Sequence, residues 1–300
     1  MTRALPETDR LRTLVDRRLD DLTGRFGAAP VRLHRTIAYS LLAPGKRIRP
    51  LLLLAAAQDF GAPPDAALDA ACAVEMVHTA SLVLDDLPCM DDATLRRGRP
   101  ATHIACGESA SIIAAVAMIN EATRLVAADR RLPAAGRCAI LSALTGAIGV
   151  DGLVAGQIRD LDGDPSVAAA ERTNWEKTAA LFVAAAEIGA LIAGAGDDDV
   201  QAVRRFASHL GMAFQLRDDL LDATATPAEA AKDVGQDAGK PTVLALTGHR
   251  RAKRSLERHL DAALGALDTC SCPGGAMSSF VATAFPGTRI GGAAAAIAGP

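Results

Sequence analysis

The chain has few aromatic residues, little net charge and no cysteine pattern typical of a metal or redox site. Only 3% of its 300 residues are aromatic, and the formal net charge is −3. Without an excess of basic residues, the sequence does not favour nucleic acid as a partner. The six cysteines form no CxxC pair, which is typical of reduced and mostly buried thiols in the cytoplasm.

The sequence also lacks a segment typical of export or of membrane insertion. Residues 2–12 are charged and contain no apolar core, so no signal peptide is indicated. The most apolar run, at 51–57, is too short to cross a bilayer, and Gln58 and Asp59 follow it. We therefore expect a cytoplasmic protein with no transmembrane segment, in which residues 51–57 belong to a buried helix.

The composition favours a helical protein with a large core. Half of the residues are hydrophobic and 22% are charged, and alanine often recurs at helical spacing. Val, Ile and Thr seldom alternate with polar residues, so strand signals are weak. Glycine and proline separate the helical stretches. The predicted helices cover roughly 8–26, 31–43, 48–60, 65–88, 108–129, 134–157, 171–194, 198–224 and 249–267.

This pattern predicts one all-α domain over residues 1–300. We expect a bundle of about ten or more helices packed around a central cavity, as in other helical folds that bind ligands between helices. The residues that carry chemistry lie between about 30 and 250. From about residue 270 the chain is rich in Gly, Ala and Ser, and we expect an irregular tail there.

The strongest chemical signal is a pair of acidic clusters in apolar surroundings, about 130 residues apart. Carboxylates so close together repel one another unless a cation lies between them. Mg²⁺ usually takes only one or two protein carboxylates and completes its octahedron with water and phosphate oxygens. Two clusters therefore predict a diphosphate bound between them through Mg²⁺. The first cluster is Asp85, Asp86, Asp91 and Asp92, and the second is Asp218, Asp219 and Asp222.

The spacing within each cluster favours a shared direction. Asp218 and Asp222 are four residues apart and so lie on one face of a helix. Asp85 and Asp91 would diverge on a regular helix, but Pro88 between them favours a bend that brings Asp91 back. Acidic helix caps or solvated faces are the alternative interpretation, and they suit a single pair better than two clusters.

Basic residues accompany both clusters. Arginine suits bidentate recognition of phosphate and lysine supplies a compact charge, although each one alone is more often a surface cation. Basic residues near the start of a predicted helix would act together with the backbone N–H groups there, which also favour anions. The candidates are Lys46, Arg47 and Arg49, then Arg96, Arg97 and Arg99, then Lys177, Lys232 and Lys240.

Together these segments resemble the trans-isoprenyl diphosphate synthase family, most closely its bacterial carotenoid-type geranylgeranyl diphosphate synthases. They occur in the family's order and cover about residues 30–250. The matching segments are GKRIRP (45–50), EMVHTASLVLDDLPCMDDATLRRGRPATH (75–103), GLVAGQIRDL (152–161), KTAALF (177–182), GMAFQLRDDLLD (211–222) and KDVGQDAGKPT (232–242).

The resemblance implies a homodimer and a role for each matching residue. Three Mg²⁺ ions are implied, with Mn²⁺ as a substitute. Their ligands would be Asp85, Asp91, Asp218, Asp86 and Asp222, with Asp219 in support. The allylic diphosphate would be held by Arg96, Lys177, Lys232 and Lys240, with Thr178 and Gln215 beside it. Isopentenyl diphosphate would be held by Lys46, Arg49, His78 and Arg97.

The implied reaction lengthens a prenyl chain by five carbons. The allylic C–O bond ionises, the double bond of isopentenyl diphosphate attacks the carbocation, and a proton is then lost. Dimethylallyl, geranyl and farnesyl diphosphate remain open as primers. A non-catalytic regulatory subunit of a prenyl synthase is the alternative from another class, and such subunits usually lose one acidic cluster.

Residues about one turn and two turns before Asp85 predict the product length. Ala80 and Ser81 are small, whereas farnesyl-forming relatives tend to carry an aromatic residue at the position of Ala80. Small residues here favour the twenty-carbon product, geranylgeranyl diphosphate, with Met76 and Val77 as the floor of the tube. A farnesyl or longer-chain synthase remains the alternative, and Ala80 could instead serve only helix packing.

Overall fold

A computed structural model of the protein describes residues 7–223, 241–272 and 275–286. This part is almost entirely helical, which confirms the predicted all-α class. A two-stranded antiparallel hairpin, β1 (Leu95–Arg96) and β2 (Arg99–Pro100), interrupts the helices. The helices are α1 (Glu7–Gly24), α2 (Val31–Leu41), α3 (Ile48–Asp59), α4 (Pro64–Asp85), α5 (Thr102–Cys106), α6 (Glu108–Ala127), α7 (Ala134–Ile148), α8 (Leu153–Asp162), α9 (Val167–Asn174), α10 (Ala180–Ile192), α11 (Asp197–Asp222), α12 (Val243–Thr247), α13 (His249–Leu267) and α14 (Gly275–Ala284).

Helices α3, α4 and α10 form the centre of the bundle. Residues 51–57 of α3 are all buried, which confirms the buried helix predicted there. Helix α3 packs on α4 and α10, and α11 packs on α10 and α13. A Cβ atom at Gly189 would lie 2.3 Å from the carbonyl oxygen of Leu53, so glycine is what lets α10 approach α3.

Two predicted helices are divided in the structure, and α4 is shorter than predicted. The stretch 134–157 breaks between α7 and α8. The turn between them requires glycine at position 152, because a Cβ at Gly152 would lie 2.1 Å from the carbonyl oxygen of Ala147. The stretch 171–194 contains a π-helical turn, Trp175–Ala179, between α9 and α10. Helix α4 ends at Asp85, before Pro88, since residues ahead of a proline disfavour helical geometry.

The predicted irregular tail contains a helix. Helix α14 packs on α3 and buries Met277, Phe280 and Val281. Both carboxylate oxygens of Asp59 accept hydrogen bonds at its start, from the N–H of Ala276 at 2.8 Å and from the next N–H at 2.9 Å. The helix is therefore stabilised by a cap more than 200 residues away in sequence, which no local pattern indicates.

Three stretches are long and apolar enough to cross a membrane by length and composition alone. They are Pro64–Asp85, Glu108–Ala127 and the turn-containing Ala134–Asp162. Other helices bury 72% of the apolar window in the first stretch, but only 39% and 22% in the other two. The absence of a transmembrane segment therefore stays a prediction, and α6 and α8 expose apolar side chains, among them Ile113 and Ile158.

Candidate active site

The π-helical turn Trp175–Ala179 connects the two acidic clusters. The Nζ atom of Lys177 lies 2.7 Å from an oxygen of Asp160 on α8 and 4.0 Å from an oxygen of Asp85 at the end of α4. The next residue, Thr178, donates a hydrogen bond of 2.7 Å to Gln215 on α11. Single π-turns inside helices are frequent at functional sites.

The second cluster is reached through a chain of hydrogen bonds. The side-chain amide of Gln215 accepts from Thr178 and donates to Asp219, which lies four residues further along α11, at 2.7 Å. Asp219 is buried, whereas Asp218 and Asp222 are more accessible. Lys177 thus faces the first cluster while Thr178 is bonded towards the second, so both clusters border the same turn.

Glycines on two neighbouring helices allow this turn to fit. A Cβ at Gly156 on α8 would lie 2.5 Å from the backbone nitrogen of Lys177, and a Cβ at Gly211 on α11 would lie 2.5 Å from the Cα of Ala179. Side chains at either position would collide with the turn's backbone. The close approach of α8 and α11 therefore positions Lys177 and Thr178.

Asp85 is the most electrostatically unusual carboxylate of the first cluster. Burial, together with the nearby charges of Asp91 and Asp86, raises the pKa of Asp85 to about 6, although Lys177 opposes the shift. The backbone N–H of Asp91 donates to the carbonyl oxygen of Asp85 at 2.9 Å. The chain therefore does turn back after α4, as the proline predicted, and it brings Asp91 near Asp85.

Asp86 lies in a different environment from its neighbour. Its carboxylate is 1% exposed and accepts hydrogen bonds from Nε and Nη2 of Arg96 on the hairpin. Burial raises the pKa of Asp86, and Arg96 opposes the rise. The sequence predicted Asp86 as a metal ligand and Arg96 as a substrate ligand, but the structure pairs them with each other. Asp86 is therefore placed to orient Arg96, which keeps only its remaining N–H groups for a ligand.

A basic pocket lies between α3, α4 and the hairpin, around Arg49, His78 and Arg97. The guanidinium of Arg49 lies 3.1 Å from Nε2 of His78 and 4.8 Å above the ring of Phe182. Burial and the positive charge of Arg49 hold the pKa of His78 well below its usual range, so its ring is neutral. Burial lowers the pKa of Arg49 to about 10 and also lowers that of Arg97. Partly buried cations of this kind favour an anion beside them.

The second acidic cluster and this pocket are electrically coupled. The negative charge of Asp218 acts on Arg49 and raises its pKa against the effect of burial. Lys46, in contrast, is exposed at the rim. The structure thus brings together Asp85, Asp91, Lys177 and Thr178, and places Arg49 and His78 next to them. Lys232 and Lys240 lie outside the described residues.

No preformed metal site is found in the described part of the chain. Among residues 7–223, 241–272 and 275–286, no three His, Cys, Asp or Glu side chains lie close enough to hold an ion by themselves. Magnesium commonly takes one or two carboxylates and obtains its other ligands from water and phosphate. The donor set here has the hard oxygens for that role.

Three of the four predicted chain-length residues are fully buried. Ala80, Met76 and Val77 are each at most 1% exposed on α4. Ser81 is half-buried, and its hydroxyl donates to the carbonyl oxygen of His78 at 2.9 Å. Three of the four residues therefore lie in the interior, on the helix that ends at Asp85.

Sequence reasoning missed three contributors to the site. Asp160 pairs with Lys177, and Gln157, one turn earlier on α8, lies 3.8 Å from the sulfur of Met90. A signal was available in the segment 152–161, where Gln157 and Asp160 are three residues apart and so share a helix face. Buried Glu75, which contacts two arginines, was also missed.

The chain matches the family described as polyprenyl synthetase over residues 30–271. It is 45% identical to a geranylgeranyl diphosphate synthase of Pantoea ananas, over 90% of each chain. It is 38% identical to a farnesyl diphosphate synthase of Geobacillus stearothermophilus, over 89% of this chain and 90% of that one.

A solved structure with the same fold supports this match. It is a geranyltransferase of Helicobacter pylori complexed with magnesium and isoprenyl diphosphate, and it is 25% identical. The similarity has a TM-score of 0.83 and covers 96% of this chain and 100% of that one. The sequence match, the helical fold and the paired acidic clusters agree, and the chain belongs to the polyprenyl synthetase family.

Proposed function

We propose that this protein is a Mg²⁺-dependent prenyltransferase that condenses isopentenyl diphosphate with an allylic diphosphate to make geranylgeranyl diphosphate. The observation that carries the proposal is the π-helical turn, at which Lys177 meets Asp85 while Thr178 leads to Asp219. The similarity to geranylgeranyl diphosphate synthases along most of the chain supports the same activity.

The donor set suits Mg²⁺ between the clusters. Burial, and then repulsion from Asp91 and Asp86, raises the pKa of Asp85, so a divalent cation next to it would relieve an unfavourable charge arrangement. We assign Asp85 and Asp91 to one side, and Asp218 and Asp222 to the other. Asp219 would hold Gln215 in place. Bound Mg²⁺, in the proposed number of three, would offset the negative charge that develops on the departing diphosphate.

The chain's own cations would bind and orient the allylic diphosphate. Lys177 is fixed by Asp160 and points to Asp85, so a diphosphate bound near the first cluster would replace part of that ion pair. Arg96, oriented by Asp86, would supply further N–H groups. Lys232 and Lys240 belong to the same proposal. Fixed donors of this kind stabilise developing charge without reorganising during the reaction.

Isopentenyl diphosphate would occupy the basic pocket. Arg49, Arg97 and exposed Lys46 offer positive charge there. Neutral His78 accepts a hydrogen bond from Arg49 and so fixes its direction. A bound diphosphate would compensate the two arginines whose pKa values burial lowers. Two separate anion sites would hold the two reacting carbon atoms in a defined relation.

Small residues beneath Asp85 support a twenty-carbon product. Ala80 is buried and carries no aromatic ring that would close the tube at that depth. The relative named as a farnesyl synthase is less similar to this chain than the one named as a geranylgeranyl synthase. A farnesyl or longer-chain synthase is the second candidate, and a regulatory subunit is disfavoured because both acidic clusters are intact.

Exposed apolar side chains support a homodimer. On α6 these include Ile113, 58% exposed, and Val116, 54% exposed, and on α8 they include Val154 and Ile158. Exposed apolar faces of this kind commonly mark subunit interfaces. We further propose that the protein is cytoplasmic and that its product serves carotenoid synthesis, as its resemblance to that branch of the family indicates.

Incorporation of labelled isopentenyl diphosphate tests the proposed reaction. With Mg²⁺ and an allylic primer, the intact protein should form labelled prenyl product, and EDTA should abolish it. Asp85→Asn and Lys177→Ala should each lower kcat by at least about 10²-fold, because each removes charge from the site of diphosphate departure. Metal-independent turnover, or full activity of both variants, would reject the proposal.

A further inference from the structure

Glu75 is a buried carboxylate shared by two arginines. It lies on α4, one turn before His78, and is 1% exposed. Its Oε1 accepts hydrogen bonds from Nη1 of Arg47 at 2.8 Å and from Nη2 of Arg97 at 3.4 Å. A buried ion pair contributes little net stability over apolar packing, so a network of this kind points to a role in function.

Arg47 directs its side chain to protein groups rather than to solvent. Its guanidinium is 3% exposed and donates to Asp16 on α1 at 2.8 Å, as well as to the carbonyl oxygens of Leu41 and Ala43. Its backbone has φ 52° at the start of α3, a left-handed conformation that non-glycine residues seldom adopt. The ion pairs of the Arg47 side chain thus stabilise this left-handed conformation at the residue between Lys46 and Ile48, where α3 begins.

Arg97 approaches the same carboxylate from the hairpin. Its backbone is also left-handed, with φ 54°. A Cβ at Gly45 would lie 3.1 Å from the guanidinium carbon of Arg97 and 3.3 Å from Nη1 of Arg47. Glycine therefore lets the loop before α3 pass over both guanidinium groups. The loop and the hairpin meet at Glu75.

The carboxylate also offsets repulsion among the cations. Burial lowers the pKa of Arg49 and of Arg97, and the charge of Glu75 opposes the shift in both. Burial also acts to lower the pKa of Arg47, but the charges and hydrogen bonds of Glu75 and Asp16 outweigh it, and the pKa of Arg47 is raised. Without this anion, several guanidinium groups would repel one another in a poorly solvated pocket.

We propose that Glu75 and Arg47 are positioning residues for isopentenyl diphosphate. Glu75 holds Arg97 directly, and through Arg47 it fixes the start of α3, which carries Arg49 and directly follows the loop with Lys46. This inference rests on the assignment of those three cations to isopentenyl diphosphate. The allylic side has its own supports, the pairs of Lys177 with Asp160 and of Arg96 with Asp86, so loss of Glu75 should affect one substrate and not the other.

The test is the steady-state kinetics of Glu75→Gln, which keeps the shape of the side chain and removes its charge. The KM for isopentenyl diphosphate should rise by about tenfold or more, while the KM for the allylic primer stays within about twofold, because the charge-assisted hydrogen bonds of Glu75 go to arginines of the first site and to none of the second. An equal rise in both constants, or no rise in either, would overturn the proposal.

A milder variant covers the case in which Glu75→Gln does not fold. Asp16 has a side chain that is 47% exposed, and its loss leaves Arg47 bonded to Glu75. Asp16→Asn should therefore raise the KM for isopentenyl diphosphate by about two- to threefold with a folded protein. An unchanged value in this folded variant counts against the positioning role.

Two further variants distinguish a positioning role from a general loss of stability and from a wrong assignment of the pocket. Arg18 and Asp69 form another pair between α1 and α4, at 2.7 Å, and neither belongs to the basic pocket. Asp69→Asn should lower the melting temperature and leave both KM values unchanged. Arg97→Gln should raise the KM for isopentenyl diphosphate. If it does not, the assignment of the pocket fails; if it does while Glu75→Gln has no effect, only the positioning role fails.

Discussion

Neighbouring carboxylates at the end of α4 have different environments. Asp85 faces Lys177 at the edge of the site, whereas Asp86 is buried under Arg96. In the sequence the two residues are adjacent aspartates, and both are therefore predicted to be metal ligands. Which one turns towards the hairpin depends on where α4 ends, and the helix ends between them. A residue's chemistry is thus predictable from its type, but its partner is not.

We expect the product length to depend on a single residue. Replacing buried Ala80 with Phe adds a ring about one turn beneath Asp85, where the chain of the product would pass. Ala80→Phe should therefore shift the main product from twenty to fifteen carbons while overall turnover of a short primer remains. Analysis of the dephosphorylated alcohols measures this directly.

The matched control places the same ring where no chain should pass. Ala127 is exposed at the end of α6, so Ala127→Phe should leave the product distribution unchanged. An unchanged distribution in Ala80→Phe as well would show that Ala80 serves helix packing and does not line the tube.

At the scale of elements, the π-helical turn is the feature that local sequence patterns could not predict. The sequence pattern at 171–194 is uniformly helical and does not indicate the wider π-helical turn. The turn can be recognised only from the helices that pack against it. Gly156 on α8 and Gly211 on α11 let those helices approach it. Asp160 likewise meets Lys177 only because α8 begins after the break at Gly152.

Gly156→Ala tests whether the turn's position matters for catalysis. The added methyl group would lie 2.5 Å from the backbone of Lys177 and must displace the turn. A shift of about 1 Å can reduce the rate by about 10²-fold, so kcat should fall by that order. Steady-state turnover at saturating substrates measures the loss.

Gly146→Ala is the control for a glycine without neighbours. Nothing lies within 4 Å of a Cβ at this position on α7, and the position is exposed. Alanine should raise helix stability by up to about 1 kcal/mol and leave turnover unchanged. Similar losses of turnover in both variants would show that helix geometry in general, rather than the turn, is responsible.

The contact between α11 and α13 predicts a loss of stability in acid. His209 and His259 have their Nδ1 atoms 3.0 Å apart. Burial, His209 and Arg258 lower the pKa of His259 to about 4. In the unfolded chain this histidine binds a proton near pH 6.5, whereas in the folded protein it does so only near pH 4. The free energy of unfolding therefore decreases as the pH falls from about 6.5 to about 4. Solvent around the pair limits this loss to about 1–2 kcal/mol.

Chemical denaturation at pH 7.5 and pH 5 measures this effect. In the intact protein the free energy of unfolding should fall between the two pH values. His259→Asn keeps a polar side chain but cannot take up a proton, so its decrease should be smaller. A decrease of equal size in both proteins would assign the acid sensitivity to other groups.

At the scale of the whole molecule, the fold class and the acidic clusters were predictable and the contacts between distant segments were not. Helical periodicity and paired aspartates are local features, so they can be recognised in the sequence without knowledge of the fold. The Asp59 cap on α14 and the Glu75 network depend on segments far apart in the chain. Such partners are fixed by packing, which is why the tail was predicted as irregular although it contains a helix.

The central claim is that this helical bundle joins two diphosphate substrates and releases a twenty-carbon product. The most direct test is to incubate the purified protein with Mg²⁺, labelled isopentenyl diphosphate and, in turn, dimethylallyl, geranyl and farnesyl diphosphate, and to separate the dephosphorylated products. We predict mainly geranylgeraniol from a primer that the enzyme accepts, and none after addition of EDTA. A main product of another length, or no labelled product from any primer, would contradict the claim.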